Sequence, residues 1–153
     1  MNIKIAQIKD IDGIAKLYPA VTESMAEFEP FYYKKSEQSK SYIEEIITND
    51  DSDFIVAVSD SKIVGFALVE EMKTPPYDCF VPHKYTFIMD VVVDKDYRRK
   101  GIATALLSEV RKWAEDRKSD YIELNVLSKN IQAINLYENL QFEECAKRMK
   151  LKL

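Results

Sequence analysis

Four consecutive residues, Arg98-Arg99-Lys100-Gly101, have the types and spacing to hold an anion. They follow the apolar run Phe87-Ile88-Met89-Asp90-Val91-Val92-Val93 and open an amphipathic segment that reaches Arg117. A strand therefore feeds a short basic turn, and the turn feeds a helix N-terminus. The first N–H groups of a helix have no partner inside it and carry the positive end of its dipole. A pyrophosphate suits that place. The groups offered to it are the backbone N–H groups of Arg99, Lys100, Gly101, Ile102, Ala103 and Thr104. Gly101, one of only three glycines, removes a side chain where a phosphate oxygen must come close. Arg98, Arg99 and Lys100 supply neutralising charge. The turn is too short for a Walker loop, and Gly-x-Ala lacks the glycine that starts the dinucleotide fingerprint.

A second stretch lies downstream: Asn130-x-x-Ala133-x-x-Leu136-Tyr137-Glu138-Asn139-x-x-Phe142. Together with Val93-x-x-x-x-Arg98-x-x-Gly101-x-Ala103 it resembles the two CoA-side motifs of the GNAT family of N-acetyltransferases. The motifs stand in the family's order, about one βαβ unit apart. The detailed resemblance spans roughly residues 85 to 145, while the N-terminal half matches only in its order of elements. Two positions depart from the family pattern. Gln141 stands where a glycine usually precedes the aromatic, and Arg99 where a glycine often follows the arginine. Neither position carries chemistry, so the departures bear on turn geometry.

The resemblance implies a mixed α/β fold, with a mostly antiparallel central sheet flanked by helices, over one domain of residues 1–153. It implies transfer of an acetyl group from acetyl-CoA to an amine by direct attack within a ternary complex. No protein nucleophile and no metal are then required. It runs the pantetheine arm along Val91, Val92 and Val93 like an added strand, with the Val91 N–H at the thioester carbonyl. It sets the cofactor arm against Asn130 and Ala133, and it puts the Tyr137 hydroxyl near the sulfur as general acid. A phenol with pKa about 10 keeps its proton at neutral pH and can give it to a thiolate. Read from the residues alone, the valine triplet is ordinary core. Tyr137 is equally a packed helix tyrosine, and Asn130 is a helix N-cap.

The general base is less defined. Strict alternation puts Asp90 on one face with Ile88 and Val92, opposite Met89 and Val91. Some relatives carry a carboxylate one residue earlier, where this chain has Met89. Asp90 is the candidate base or acceptor-binding group. Glu27 and Glu29 are alternatives for holding a cationic acceptor, against their reading as solvated charge. His83, the single histidine, sits in a Pro-rich loop without a nucleophile motif, so a triad is not expected.

Composition narrows the classes further. The chain of 153 residues has 46% hydrophobic and 31% charged residues, an ordinary globular balance. A net charge of −4 argues against a general nucleic-acid binder. No apolar run approaches the roughly 20 residues that span a bilayer, and residues 1–5 contain no signal core. Cys79 and Cys145 are isolated, without metal or redox spacing, which fits free thiols in the cytoplasm.

The elements that must position these residues follow from periodicity. A strand is expected at 3–8, then a helix from Asp10 to Tyr18, stopped by Pro19. Residues 20–36 read as irregular and aromatic, and Ser36 as the cap of a second helix to Ile47. A hairpin is expected from 54–58 and 63–69, then a loop at 73–84 and a strand at 85–93. The basic turn and its helix come next, then a strand at 121–126, a helix at 131–139 and a final extended segment from Phe142 to Leu153. Acceptor walls are expected from 20–36 and 73–84, because loops carry specificity on such scaffolds.

The sequence thus favours an acetyltransferase acting on a primary amine of a small molecule. A peptide or protein acceptor, and a CoA-binding sensor without turnover, are the alternatives. A homodimer is left open.

Overall fold

The segments with the strongest β patterning build the centre of the sheet in a computed structural model that describes residues 1–153. The strands are β1 (Asn2–Ile5), β2 (Ser52–Ser59), β3 (Lys62–Lys73), β4 (Lys84–Val93) and β5 (Tyr121–Leu124), ordered β1-β2-β3-β4-β5 across one sheet. All neighbours are antiparallel except β4 and β5, which are parallel. The helices are α1 (Ile11–Phe28), α2 (Lys40–Thr48), α3 (Ile102–Asp116) and α4 (Ile131–Asn139). Asp60 and Ser61 join β2 to β3 with φ of 48° and 61°, the double positive φ of a two-residue hairpin turn.

Both faces of the sheet are covered, which is why β2 and β3 read as almost continuous apolar runs. On one face Phe54, Phe66, Leu68 and Val92 pack against Ile14, Leu17 and Tyr18 of α1 and Ile43 of α2. On the other, Ile55, Ala67, Val69 and Ile88 pack against Leu106, Val110 and Trp113 of α3. No helix is long and apolar enough to cross a membrane.

Three expected boundaries are corrected. α1 does not stop at Pro19 but continues to Phe28. Proline removes one helical hydrogen bond, but Ala20 and Val21 beyond it pack into the core, and that burial keeps the helix going. Residues 20–28 are therefore helix rather than loop, and the irregular connection is confined to 29–39. The cap of α2 is Ser39, whose Oγ accepts from the Tyr42 N–H at 3.3 Å. Ser36 instead clamps the connection onto α1: its N–H donates to Thr22 Oγ1 at 2.9 Å, and that hydroxyl donates to the Ser36 carbonyl at 2.8 Å. Finally, residues 142–153 form no strand. No strand of the sheet pairs with them, so their alternation forms no ladder.

At the two positions where the resemblance would put glycine, the backbone keeps the glycine conformation. Arg99 has φ 60° and Gln141 φ 70°, both left-handed. Gln141 closes α4 in a Schellman turn, with the Phe142 N–H on the Tyr137 carbonyl at 3.0 Å and its own N–H on the Glu138 carbonyl at 2.9 Å. A side chain there is strained by roughly 1–2 kcal/mol, and glycine gives part of this back in unfolded-state entropy. Gln141 is exposed, so no packing is lost. Gln141→Gly should therefore raise stability by about 0.5–1 kcal/mol in chemical denaturation. An unchanged or lowered midpoint would show that the turn carries no strain.

Candidate active site

The site grows from a mismatch in strand lengths. β4 pairs with β5 only from Tyr85↔Tyr121 to Ile88↔Leu124. β5 ends there, while β4 continues to Val93 with β3 on one side only. The backbone edge of residues 89–93 that faces the β5 side is left without a strand partner. Val91, Val92 and Val93 lie in this stretch, on an edge open to an extended ligand.

The register also shifts here. Leu68 of β3 faces Asp90, but the next residue, Val69, faces Ile88, so Met89 is an inserted residue, a β-bulge. The expected shared face of Ile88, Asp90 and Val92 is thereby corrected. Ile88 points into the α3 core and Val92 into the α1–α2 core. Asp90, opposite Leu68, follows Val92 to the α1–α2 face. Met89 is 41% exposed and brings no carboxylate.

Past Val93, Asp94 caps a short 3₁₀ turn (Lys95–Tyr97), its carboxylate accepting from the Asp96 N–H at 3.1 Å and pairing with Lys62 at 2.9 Å. Arg98 Nε donates to the Val93 carbonyl at 3.1 Å, which fixes the guanidinium at the end of β4. Lys100 Nζ donates to the Asp96 carbonyl at 3.2 Å and lies 4.9 Å from the Tyr97 ring centroid. Gly101 is the N-cap of α3 with φ 75°, a conformation that suits glycine. It brings no capping side chain, and an added Cβ would meet nothing within 4 Å. Ala105 is the residue whose N–H bonds back to the Gly101 carbonyl, at 3.0 Å. The N–H groups of Ile102, Ala103 and Thr104 thus face open space beside three cationic side chains. These residues fit a pyrophosphate.

α4 supplies the opposite wall. Asn130 caps it, with Oδ1 accepting from the Ala133 N–H at 3.2 Å. Tyr137 is partly buried, edge-on to Phe142 at 5.7 Å. It packs against the same apolar cluster as Val91, Val93 and Leu124. Burial alone pushes its phenol above the ordinary tyrosine value. The hydroxyl therefore keeps its proton well beyond neutral pH.

Asp90 lies across the sheet from Tyr137. Burial raises its carboxyl above the usual aspartate value, opposed by the nearby Tyr18 hydroxyl. That hydroxyl is itself buried without a partner at hydrogen-bonding geometry, so the two groups interact as close neighbours rather than as a formed hydrogen bond. Tyr42 of α2 has its phenol raised by burial, with Asp90 and Glu70 adding to the effect. Tyr85 and Tyr121 stack at 4.8 Å and 6°, and Glu123 bears on both phenols. Asp90, Tyr18, Tyr42, Glu70, Tyr85, Tyr121 and Glu123 thus make one face acidic and aromatic. The sequence does not single out Tyr18 or Tyr42, and only the tertiary packing brings them to Asp90.

The remaining candidates fall elsewhere. Glu27 is exposed, whereas Glu29 is held by Lys150 at 2.9 Å and Lys129 at 3.9 Å. His83 pairs through Nδ1 with Asp120 at 2.8 Å and ties the 74–83 loop to the start of β5. Cys79 and Cys145 are exposed thiols. A surface hollow of about 570 Å³ is lined by Lys9, Lys16, Lys62 and Asp94 among others, and contains none of residues 89–93 or 130–137.

Comparison with known proteins bears on the family and the fold. Residues 18–142 match the family model described as Acetyltransferase (GNAT) family. The chain is 30% identical over 140 residues to the uncharacterized N-acetyltransferase MJ1207 of Methanocaldococcus jannaschii, which covers 88% of this chain and 57% of that protein. It is 30% identical over 150 residues to the N-alpha-acetyltransferase of Saccharolobus solfataricus, covering 94% and 80%. The chain thus spans little more than half of the first relative and four-fifths of the second. Among solved structures, a mutant of the BH1408 protein from Bacillus halodurans superposes with a TM-score of 0.94 at 23% identity, over 100% and 99% of the two chains. Aminoglycoside 6'-N-acetyltransferase AAC(6')-IG from Acinetobacter haemolyticus gives 0.76 at 16%, over 100% and 98%. These two likenesses concern the fold. The family match covers most of the chain, including the turn and the α4 motif: this protein belongs to the GNAT family of acetyltransferases.

Proposed function

We propose that residues 1–153 act as one domain that transfers an acetyl group from acetyl-CoA to a primary amine of a small molecule, by direct attack in a ternary complex. The observation that carries this reading is the bulge at Met89. It turns Asp90 to one face of β4 while Tyr137 packs with Val91 on the other, beside the unpaired edge of the strand. An amine attacking a thioester and a thiolate leaving it need a base and an acid on opposite sides.

Acetyl-CoA would supply the activated acyl group. The N–H groups of Ile102, Ala103 and Thr104, with Arg98, Arg99 and Lys100, would hold its pyrophosphate. The edge of Val91, Val92 and Val93, with Asn130 and Ala133, would hold its arm. Asp90, made more basic by burial, takes the proton from the attacking nitrogen. The Val91 N–H stabilises charge growing on the carbonyl oxygen, a contribution of roughly 3 kcal/mol. Tyr137 gives its proton to the departing sulfur. The acidic and aromatic face around Asp90 favours a cationic amine with apolar or ring surface. A peptide N-terminus is the second reading, favoured by the relatives named N-alpha-acetyltransferases. A panel of aliphatic, aromatic and peptide amines, read by thiol release from acetyl-CoA, separates the two. No release with any amine would leave the sensor reading.

Gly101→Val should weaken acetyl-CoA binding strongly, because valine resists φ 75° and its methyls would fill the open space at the helix N-terminus. Arg98→Ala should weaken it less and with more salt dependence. Full affinity in a folded Gly101→Val protein would remove the pyrophosphate from this turn.

Tyr137→Phe keeps ring size and packing, so acetyl-CoA should still bind. Single-turnover acetyl transfer should slow by about 100-fold or more, the usual scale for losing a positioned proton donor. The loss should shrink with a more acidic leaving thiol. A wild-type single-turnover rate would leave Tyr137 a packing residue.

Asp90 links the site to stability. Its folded pKa lies above the unfolded one. Between the two values the folded chain holds the proton more tightly, so stability falls as pH rises through that window and stays lowered above it. Asp90→Asn should therefore melt higher than wild type at about pH 8, and the gain should fade toward about pH 4, near the unfolded aspartate value. A melting difference independent of pH would show that the carboxylate ionises freely.

A further inference from the structure

Residues 143–153 form no helix or strand and are all exposed. This tail nonetheless touches the rest of the chain at a defined place. Lys150 Nζ donates to Glu29 Oε2 at 2.9 Å and lies 4.1 Å from the Tyr32 ring centroid and 5.3 Å from that of Phe31. Lys152 lies 4.7 Å from the Phe31 ring, and Lys129 is 3.9 Å from the second carboxylate oxygen of Glu29. A carboxylate flanked by two aromatic faces is the arrangement that selects an alkylammonium. Here the chain supplies one from its own side chain.

The cage is built into the fold rather than gathered by the tail. Glu29 ends α1, and its carbonyl accepts the N–H groups of both Tyr32 and Tyr33 at 3.0 Å. The Thr22–Ser36 clamp closes the same connection onto α1. Phe31 and Tyr32 are 58% and 57% exposed, edge-on to each other at 5.4 Å. They hold large apolar rings in water with little packing behind them. Lys150, above all, keeps the Glu29 carboxyl below the usual glutamate range. The cage also adjoins the proposed site, because Lys129 immediately precedes Asn130, the cap of α4.

We propose that Glu29, Phe31 and Tyr32 form a receptor for a primary alkylammonium, that Lys150 fills it in the resting chain, and that the second ammonium of a diamine acceptor displaces Lys150 from it. The first clause stands on the cage alone, and the assignment to an acceptor rests on the acetyl-transfer reading. A lysine that must leave lowers the apparent affinity by the fraction of time the cage is filled. The same displacement would free the tail.

Calorimetric titration of the full chain with 1,5-diaminopentane, without acyl donor, tests the cage. Lys150→Ala should bind the diamine about five-fold or more tighter than wild type. Adding Glu29→Gln or, separately, Tyr32→Leu should cancel that gain, with melting curves showing that each variant is folded. Equal affinity in wild type and Lys150→Ala, or a gain that survives both second substitutions, would reduce the contact to a tail anchor and overturn the proposal. Thiol release in the same samples tells the two readings apart. Diamine binding in this pattern with no acetylation of any amine would keep the cage and remove its assignment to an acceptor. Acetylation of other amines with unchanged diamine affinity would defeat the cage alone.

Discussion

Met89 has no partner of its own on β3, because Leu68 faces Asp90 and Val69 faces Ile88. Much of the site depends on that unpaired residue. A strand alternates its side chains, so a residue gained reverses every later position. Before the bulge, Thr86 and Ile88 are buried on the α3 side. After it, Val91 and Val93 take that side, and Asp90 is released to the other. Without the insertion, Asp90 would follow Ile88 into the α3 core, among apolar side chains with no polar partner. There an ionised carboxylate would be costly. The bulge also falls where β5 stops, so the strand changes phase at the point where its edge becomes free.

The basic turn shows the same economy. Its cations are tied down by the chain itself: Arg98 to the end of β4, and Lys100 to the 3₁₀ turn and the Tyr97 ring. Their charge is held in place by the chain itself, so an anion bound there would cost less side-chain entropy. The left-handed conformations of Arg99 and Gly101 bracket Lys100 and aim the first N–H groups of α3 outward. Glycine takes this conformation freely, whereas Arg99 does so at a cost, and strain of this kind persists only when the flanking elements over-determine it. Here the flanks are the 3₁₀ turn capped by Asp94 and the buried start of α3 at Ile102.

Much of this was legible in the sequence. The turn, the α4 limits at Ile131 and Asn139, and the β2–β3 hairpin are local features, written in glycines, caps and alternation. The bulge has no such signature. No glycine or proline marks Met89, and its existence depends on β3, some twenty residues away in sequence. The continuation of α1 through Pro19 is likewise a tertiary outcome, set by Ala20 and Val21 reaching the core. The final alternation of Met149, Leu151 and Leu153 reads as a strand, yet a strand needs a neighbour, and those side chains remain 90%, 85% and 110% exposed. Tyr18 and Tyr42 sit at ordinary apolar helix positions, so nothing in their spacing sets them apart from core.

The shortness of β1 and β5 has a consequence beyond ligand access. Long apolar strands with free edges are templates for self-association. Here β2, β3 and β4, with eight, twelve and ten residues, are enclosed between margins of only four residues each. The outer margins can recruit few ladder bonds from another molecule, and β5 places Glu123 among its four residues. The remaining free edge, residues 89–93 of β4, is only five residues long and begins at the bulge, which breaks the regular ladder there. A chain that is 46% hydrophobic can thus leave part of a central strand unpaired without offering a long template for aggregation.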